Sequence, residues 1–380
     1  MKKVLVILFF ALFYWGAAQQ IGVSSPELPS NEAVSTGRIA KFINEHYESE
    51  EDKIKAIYSW IGEHIIYDVE KAMANSTSIE KKQRDKEADI LNTLQRRKGV
   101  CQDYSELMEM LCGKCGIRAY MVGGFVLRKG QENEEPHAWI VALIDDEWKI
   151  YDPTWGAGYV HDGVFTRRLS YDFYDITPSK SITDRMPFDP MWQLLNHPVS
   201  IPDFYSGIFI RDTTKPSFNY RDTIVLYELQ DKITQYRSVL RRIENGGVYN
   251  QATVDQAFFI KNEIENDKIE KYNQAVANYN EAINYLNRYA HYFNAKFTPE
   301  KERSEAENIV STAKENIEMS ITQLQSIDDP SSMMQKEIDK LIKAMNDMIE
   351  KVRSGEEFIK QYYDTEVTKR QELFYIRVSP

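Results

Sequence analysis

The sequence has little cysteine, no excess of positive charge and few of the motifs that mark metal or phosphate sites. Three cysteines in 380 residues are too few for a fold held together by disulfides. The 47 lysines and arginines are outnumbered by 58 acidic residues, giving a net charge of -11. Because nucleic acids and anionic membranes attract basic surfaces, this balance argues against both as partners. Paired C-x-x-C, H-E-x-x-H, EF-hand and glycine-rich phosphate motifs do not occur, so the sequence predicts no metal and no cofactor.

Long apolar runs are also missing, apart from one near the start. Two lysines precede an apolar run from Val4 to Trp15, and Gly16 and Ala18 occupy the -3 and -1 positions of a cleavage site after Ala18. This pattern predicts a secretory signal peptide over residues 1–18, and the run is short for a transmembrane anchor, which is the alternative. We therefore expect export to the periplasm or the extracellular space, without stable membrane insertion after cleavage. Residues 19–35 are polar and predict a leader.

The remaining sequence divides into two unlike halves. Between residues 36 and 205, segments with helical spacing come first, and short β-branched and aromatic runs follow after Gly116. This order predicts an α+β domain. The predicted helices are 38–46, 51–66, 89–97 and 104–115, with a charged connection at 69–88, and the predicted strands are 118–128, 138–144 and 147–151.

Residues 206–221 predict a connector, and residues 222–380 predict an all-α region. Helices are expected at 223–244, 251–297, 298–327 and from 330 onward, and a strand at 372–378. From Tyr272 to Phe297 the apolar residues recur at alternating spacings of four and three, which is a heptad pattern. The region is therefore predicted to be an antiparallel coiled coil or helical bundle. Two interpretations remain open: a bundle that packs on itself, which such stripes favour, or an arm that binds a protein partner.

Cys101 is the candidate nucleophile. It follows Gly99, which permits a tight loop, and directly precedes a helical pattern that starts at Tyr104. At a helix N-terminus the dipole and the free N–H groups favour a thiolate, which is the nucleophilic form of cysteine. The same N–H groups can contribute to an oxyanion hole. The other two cysteines, Cys112 and Cys115, form a C-x-x-C at the end of this helix, and we expect a local disulfide or two packed thiols there.

The candidate base is His137, because it alone of six histidines opens an apolar strand pattern. A turn at Asp145-Asp146 would bring a second strand back and place Trp139 opposite Asp152. Asp152 is then a diagonal neighbour of His137 on the same face of the sheet, within side-chain reach. A carboxylate there can fix the tautomer of the imidazole and leave its other nitrogen for the thiol.

Together these residues resemble a known family. The segment Gly99–Ser105, then His137-Ala138-Trp139, then Trp148–Trp155 is similar to the transglutaminase-like superfamily. The resemblance covers about residues 36–200, less than half of the chain. It extends to Trp60-Ile61, Ile66-Tyr67-Asp68 and Cys115–Ala119, and Trp192–Leu195 resembles an extension seen in bacterial members.

The resemblance implies a papain-like fold in which Cys101 is the nucleophile, His137 the base and Asp152 the orienting acid. Active members attack an amide carbonyl through the thiolate and form a thioester. Water as second substrate gives hydrolysis and a lysine amine gives crosslinking, and the three residues do not decide between them. Four residues are candidates for the substrate cleft, each with core packing or a solvent-facing position as the alternative: Gln102, Tyr104, Trp139 and Trp155.

The sequence thus predicts an exported cysteine-dependent amide hydrolase or acyltransferase, closer to a peptidase than to a crosslinking enzyme, that acts on a protein or peptide. The alternative belongs to another class. In it, the transglutaminase-like domain has lost catalysis and serves as a scaffold, while the helical region binds a protein partner.

Overall fold

A computed structural model describes residues 35–75, 85–127, 134–209 and 216–376. The predicted signal peptide and all of the predicted leader except Ser35 lie outside the described residues. The chain divides into two compact units between Arg221 and Asp222. Within the described ranges, none of the helices is both long enough and apolar enough to cross a membrane.

The first unit mixes helices and strands, which confirms the α+β prediction. Its helices are α1 (Thr36–His46), α2 (Glu50–His64), α3 (Val69–Asn75), α4 (Lys86–Arg96), α5 (Cys101–Lys114), α6 (Pro153–Ala157), α7 (Pro178–Ser181) and α8 (Ile201–Tyr205). Its strands are β1 (Ile66–Tyr67), β2 (Lys98–Gly99), β3 (Ala119–Val126), β4 (Glu135–Ile144), β5 (Glu147–Tyr151), β6 (Gly158–His161), β7 (Val164–Arg167) and β8 (Arg185–Pro187).

One predicted connection is wrong at its start. Residues 69–75 form α3, because the carboxylate of Asp68 accepts the backbone N–H of Lys71 and caps the first turn. Local capping outweighs the low apolar content that suggested a loop. Residues 76–84 lie outside the described residues.

The main sheet has the order β5-β4-β3-β8 and is antiparallel throughout. Helix α5 packs against β3 and β4, and its buried side chains Leu107 and Leu111 share a core with Ile140 and Ala142. A smaller parallel pair, β1 with β2, leads directly into α5, and β6 and β7 form a hairpin after α6.

The β4–β5 hairpin has the register that the sequence predicts. Asp145 and Asp146 both have positive φ, 50° and 63°, which is the geometry of a two-residue type I′ turn. Ile140 pairs with Tyr151, so continuation of the same register sets Trp139 opposite Asp152. The turn chemistry therefore fixes which residues share a face with His137.

The second unit is helical, as predicted. Its elements are α9 (Tyr220–Glu228, which starts just before the unit boundary), α10 (Lys232–Gly246), α11 (Gln251–Asn294), α12 (Arg303–Gln325), α13 (Ser332–Asp364) and α14 (Leu373–Ile376), with a 3₁₀ turn at Val367–Glu372. The single helix predicted over 223–244 is wrong. Asp231 accepts the N–H groups of Ile233 and Thr234 and starts a new helix at Lys232.

Neighbouring long helices of this unit run antiparallel. Ser320 of α12 donates to the carbonyl of Ala275 in α11, whereas Lys301, just before α12, donates its N–H to Tyr292 near the end of α11. The residue numbers thus rise along one helix as they fall along the other. The strand predicted at 372–378 is wrong over the described residues, because Phe374 lies in a helical turn and packs against Phe293.

Candidate active site

Cys101 is the first residue of α5, as the sequence predicts. Val100 is the N-cap, and its N–H donates to Oδ2 of Asp103 at 2.7 Å. An α-helix of 14 residues therefore begins at the thiol, and its dipole favours negative charge there. The side chain of Cys101 is partly exposed, so a reagent can reach it.

A partly buried ion pair between Lys71 and Asp103 supports the loop that carries Cys101. Asp103 is 2% exposed, and its Oδ2 also accepts from Nζ of Lys71 at 2.6 Å. A Cβ at Gly99 would lie only 2.7 Å from Cβ of Asp103, which explains why glycine occupies this position. Sequence reasoning missed Asp103, although an acidic residue at the third position of a helix can accept the N–H of the N-cap residue, which is one half of a capping box.

His137 and Asp152 meet as the hairpin register requires. Nε2 of His137 lies 2.8 Å from Oδ2 of Asp152, which is fully buried. The other carboxylate oxygen, Oδ1, accepts the N–H groups of Thr154 and Trp155 and so caps α6. A proton on Nε2 points at the carboxylate, which leaves Nδ1 for a second partner.

The side chain of Cys101 also interacts with His137 through a hydrogen bond, and Nδ1 is the ring nitrogen that Asp152 leaves available for it. Burial opposes a charged imidazole, but the charge and hydrogen bond of Asp152, together with Cys101, raise the pKa of His137 to about 9. Burial also opposes the charge on Asp152, whereas His137 and Arg185 favour it, and the net effect lowers the pKa of Asp152. The three side chains can therefore hold a proton on the imidazole rather than on the carboxylate.

Arg185 is a second residue at this site that sequence reasoning missed. It belongs to the three-residue strand β8, is 2% exposed, and donates from Nη2 and Nε to Oδ2 of Asp152 at 3.2 and 3.3 Å. Its guanidinium carbon lies 4.3 Å from the ring centre of Trp155, which in turn stacks on His137 at 5.1 Å. The sequence carries no signal for this contact, because Arg185 stands 33 residues beyond Asp152 in a mixed polar and apolar segment with no periodicity to mark a strand.

The predicted cleft residues divide into two groups. Tyr104 and Trp139 are 0% and 1% exposed, so the prediction that they line a cleft is wrong in this structure. The hydroxyl of Tyr104 donates to the carbonyl of Ile65 at 2.8 Å, which satisfies it inside the core. Trp155 is partly exposed beside His137, and partly exposed Gln102 directs its amide to Glu106 at 2.8 Å.

The C-x-x-C cysteines are two separate thiols in the core, not a disulfide. Burial raises the pKa of Cys115 to about 11 and that of Cys112 further. Both are therefore poor nucleophiles, which leaves Cys101 as the reactive candidate.

Comparison with known proteins agrees with this geometry. The family model of the transglutaminase-like superfamily matches residues 38–153. The kyphoscoliosis peptidase of Mus musculus is 33% identical over 169 residues, which cover 42% of this chain and 24% of that protein. The Lim and transglutaminase domain protein ltd-1 of Caenorhabditis elegans is 25% identical over 199 residues, covering 48% of this chain and 26% of that one.

A solved structure of a TGase is 21% identical and has a TM-score of 0.26, covering 41% of this chain and 40% of the other. The chain spans about a quarter of the length of the two curated relatives. The family match begins within α1 and ends at Pro153, directly after Asp152, so it includes Cys101, His137 and Asp152. Residues 38–153 of this chain therefore form a transglutaminase-like domain.

Proposed function

We propose that the chain is an exported cysteine-dependent hydrolase that cleaves amide bonds in a protein or peptide. The observation that carries this proposal is the hydrogen-bonded series from Cys101 at the start of α5, through His137, to the buried carboxylate of Asp152. A thiol at a helix N-terminus next to a histidine with a raised pKa is the arrangement that generates a thiolate near neutral pH.

In the first step, His137 takes the thiol proton and the Cys101 sulfur attacks the carbonyl carbon. The N–H groups in the first turn of α5 lack acceptors within the helix and can stabilise the oxyanion. The C–N bond then breaks, the amine leaves with the proton from His137, and a thioester remains. His137 next removes a proton from water, which attacks the thioester, and the acid product leaves as the protonated thiol re-forms.

Hydrolysis rather than crosslinking is the second part of the proposal. It is supported by the name of the mouse relative, a peptidase, which shares the domain at 33% identity. A glutamine-containing peptide mixed with a fluorescent primary amine would separate the two reactions. Hydrolysis releases the acid or a shorter peptide, whereas crosslinking attaches the amine.

Export is supported by the pattern of residues 1–18, and N-terminal sequencing of the protein secreted by an expressing cell would test cleavage after Ala18.

The pH dependence of Cys101 alkylation by iodoacetamide, followed by mass spectrometry, tests the nucleophile. We expect fast alkylation below pH 7 in the wild type and its collapse in His137→Ala. His161→Ala is the matched control, because His161 lies in the same unit with a side chain 78% exposed. An ordinary thiol profile in the wild type, unchanged in His137→Ala, would contradict the proposal.

A scaffold without catalysis remains the second candidate, favoured by exposed apolar side chains in the helical unit. Leu229, Phe258 and Met333 are 79%, 64% and 80% exposed. A partner protein that covered these side chains would gain the free energy of burying apolar surface. Under this proposal the full chain would show an unreactive Cys101 and a concentration-dependent mass in sedimentation, and Phe258→Ser would weaken that association.

A further inference from the structure

Arg185 is a buried cation that the proposed reaction steps do not use. Two of its nitrogen atoms contact Oδ2 of Asp152, and its third, Nη1, lies 2.7 Å from Oδ1 of Asp184. One face of the guanidinium covers the ring of Trp155 at 4.3 Å. Two carboxylates and an aromatic face thus fix a planar group with several donors, a geometry that suits arginine better than lysine.

His137 and Arg185 approach the same carboxylate oxygen, but only one of them has a permanent charge. In the proposed cycle His137 alternates between imidazolium and imidazole, so it is positively charged in some steps and neutral in others. Asp152 is 0% exposed, and an ionised carboxylate that is buried without a cation tends to take up a proton. A guanidinium stays charged throughout, because its proton is not lost in proteins.

We infer that Arg185 is the permanent counter-ion of Asp152, which keeps this carboxylate ionised while His137 changes its charge. Arg185 acts through Asp152 and is therefore a positioning residue. In this role it sets the pH range over which His137 gains and loses its proton. The inference deepens the proposed function and rests on the proposed triad. The effect of Arg185 on the protonation of His137 can nevertheless be measured without any catalytic assay.

Three ionisable groups interact directly with Asp152 or Arg185: His137, Tyr58 and Asp184. Four others act on these three in turn: Cys101 on His137, Asp172 and Tyr171 on Tyr58, and Lys180 on Asp184. Burial raises the pKa of the Tyr58 phenol so far that it stays neutral. Burial also raises the pKa of Asp184, which Arg185 and Lys180 oppose. Arg185 is thus the permanent cation in direct contact with Asp152 among the described residues.

Removal of a fixed positive charge strengthens proton binding at each group nearby. We therefore expect Arg185→Gln, which keeps a planar donor without the charge, to move the titration of His137 to higher pH. Charge pairs at contact distance shift pKa values by about 1 to 3 units. Arg185 and His137 are separated by the Asp152 carboxylate, so we expect the pKa of His137 to rise by about 1 unit. The acid limb of Cys101 alkylation should move in the same direction, because the thiol also loses a nearby cation.

The experiment follows the imidazole signals of the full chain by NMR after labelling its histidines with ¹⁵N. His137 is identified by the signal that disappears in His137→Gln, and the other five histidines serve as internal references. Arg185→Lys keeps the charge and should restore most of the wild-type titration. Asp184→Asn removes an anion from the same guanidinium and should shift His137 in the opposite direction, to lower pH.

Opposite shifts in Arg185→Gln and Asp184→Asn, with restoration by Arg185→Lys, would support the inference, since a purely structural role gives no such sign change. An unmoved His137 titration in folded Arg185→Gln would overturn it. If Arg185→Gln does not fold, the test rests on Asp184→Asn. A shift of the His137 titration to lower pH in that variant supports the role of Arg185 as counter-ion, and any other result overturns it. An ordinary thiol profile of wild-type Cys101 would instead defeat the proposed function, and the His137 titration would still decide the inference.

Discussion

Replacement of Asp152 by asparagine should destabilise the first unit by about 3–5 kcal/mol, the usual cost of leaving one member of a buried ion pair without its partner. The variant isolates the charge, because asparagine caps helices about as well as aspartate and can still accept the N–H groups of Thr154 and Trp155. What is lost is the anion beside Arg185, whose side chain is 2% exposed.

A double-mutant cycle makes this prediction specific. When unfolding is measured above about pH 9, where His137 is neutral, Arg185→Met alone should cost a similar amount, because it leaves Asp152 without a cation in contact. The double variant Asp152→Asn/Arg185→Met removes both charges, so its cost should fall below the sum of the single costs by about 2–3 kcal/mol. Asp184→Asn is the control, since this carboxylate is 37% exposed and its ion pair should contribute no more than about 1 kcal/mol.

Apart from Trp15 in the predicted signal peptide, the tryptophans of the chain all lie in the first unit: Trp60, Trp139, Trp148, Trp155 and Trp192. Urea unfolding monitored by tryptophan fluorescence is therefore the appropriate assay. The signal therefore reports this unit alone, even if the helical unit unfolds separately. Additive costs in the double variant, or an Asp152→Asn cost no larger than that of Asp184→Asn, would refute the argument that these two buried charges stabilise each other.

Three further predictions follow from contacts at and around the site. Tyr104→Phe should lower the free energy of unfolding by about 1 kcal/mol, because it removes the hydrogen bond to the carbonyl of Ile65. The rate of Cys101 alkylation should not change, and a large decrease in that rate would show that Tyr104 lines the cleft after all. Gly156→Ala should cost about 1–3 kcal/mol, because the new Cβ would lie 1.9 Å from the hydroxyl of buried Tyr58, and wild-type stability would contradict this packing. The pKa of His137 is higher in the folded state than in the unfolded state, where it is about 6.5. The contribution of its protonation to stability is therefore complete below about pH 6.5 and is lost as the pH rises through about 9. Urea midpoints measured across this pH range should fall in the wild type but not in His137→Ala.

The sequence predicts those parts of the site that depend on local rules. The Asp145-Asp146 turn determines the register of the hairpin, and the register determines that His137 and Asp152 lie on one face. The helical pattern beyond Cys101 likewise predicts that the thiol lies at a helix N-terminus. Turn geometry and helical periodicity act over a few residues, so both can be read without knowing the tertiary structure.

What the sequence does not predict depends on contacts between distant segments. Arg185 reaches Asp152 only because β8 pairs with β3, and a strand of three residues has no periodicity to reveal it. Tyr104 and Trp139 are aromatic residues beside motif positions, which suggested a cleft, but their burial is decided by the packing of α5 and β4 against the rest of the unit. The helix break at Asp231 was missed for a different reason, because a single capping side chain outweighed an otherwise continuous helical pattern.

Asp152 belongs to two structures at once, since one oxygen caps α6 and the other receives Arg185 and His137. Selection for a stable fold therefore acts on this aspartate even where selection for chemistry has ceased. In a related chain that has lost the equivalent of Cys101 or His137, the equivalents of Asp152 and Arg185 would be retained for their contribution to folding. An aspartate at this position is thus no guide to whether a relative is an enzyme, whereas the joint presence of the thiol and the imidazole is.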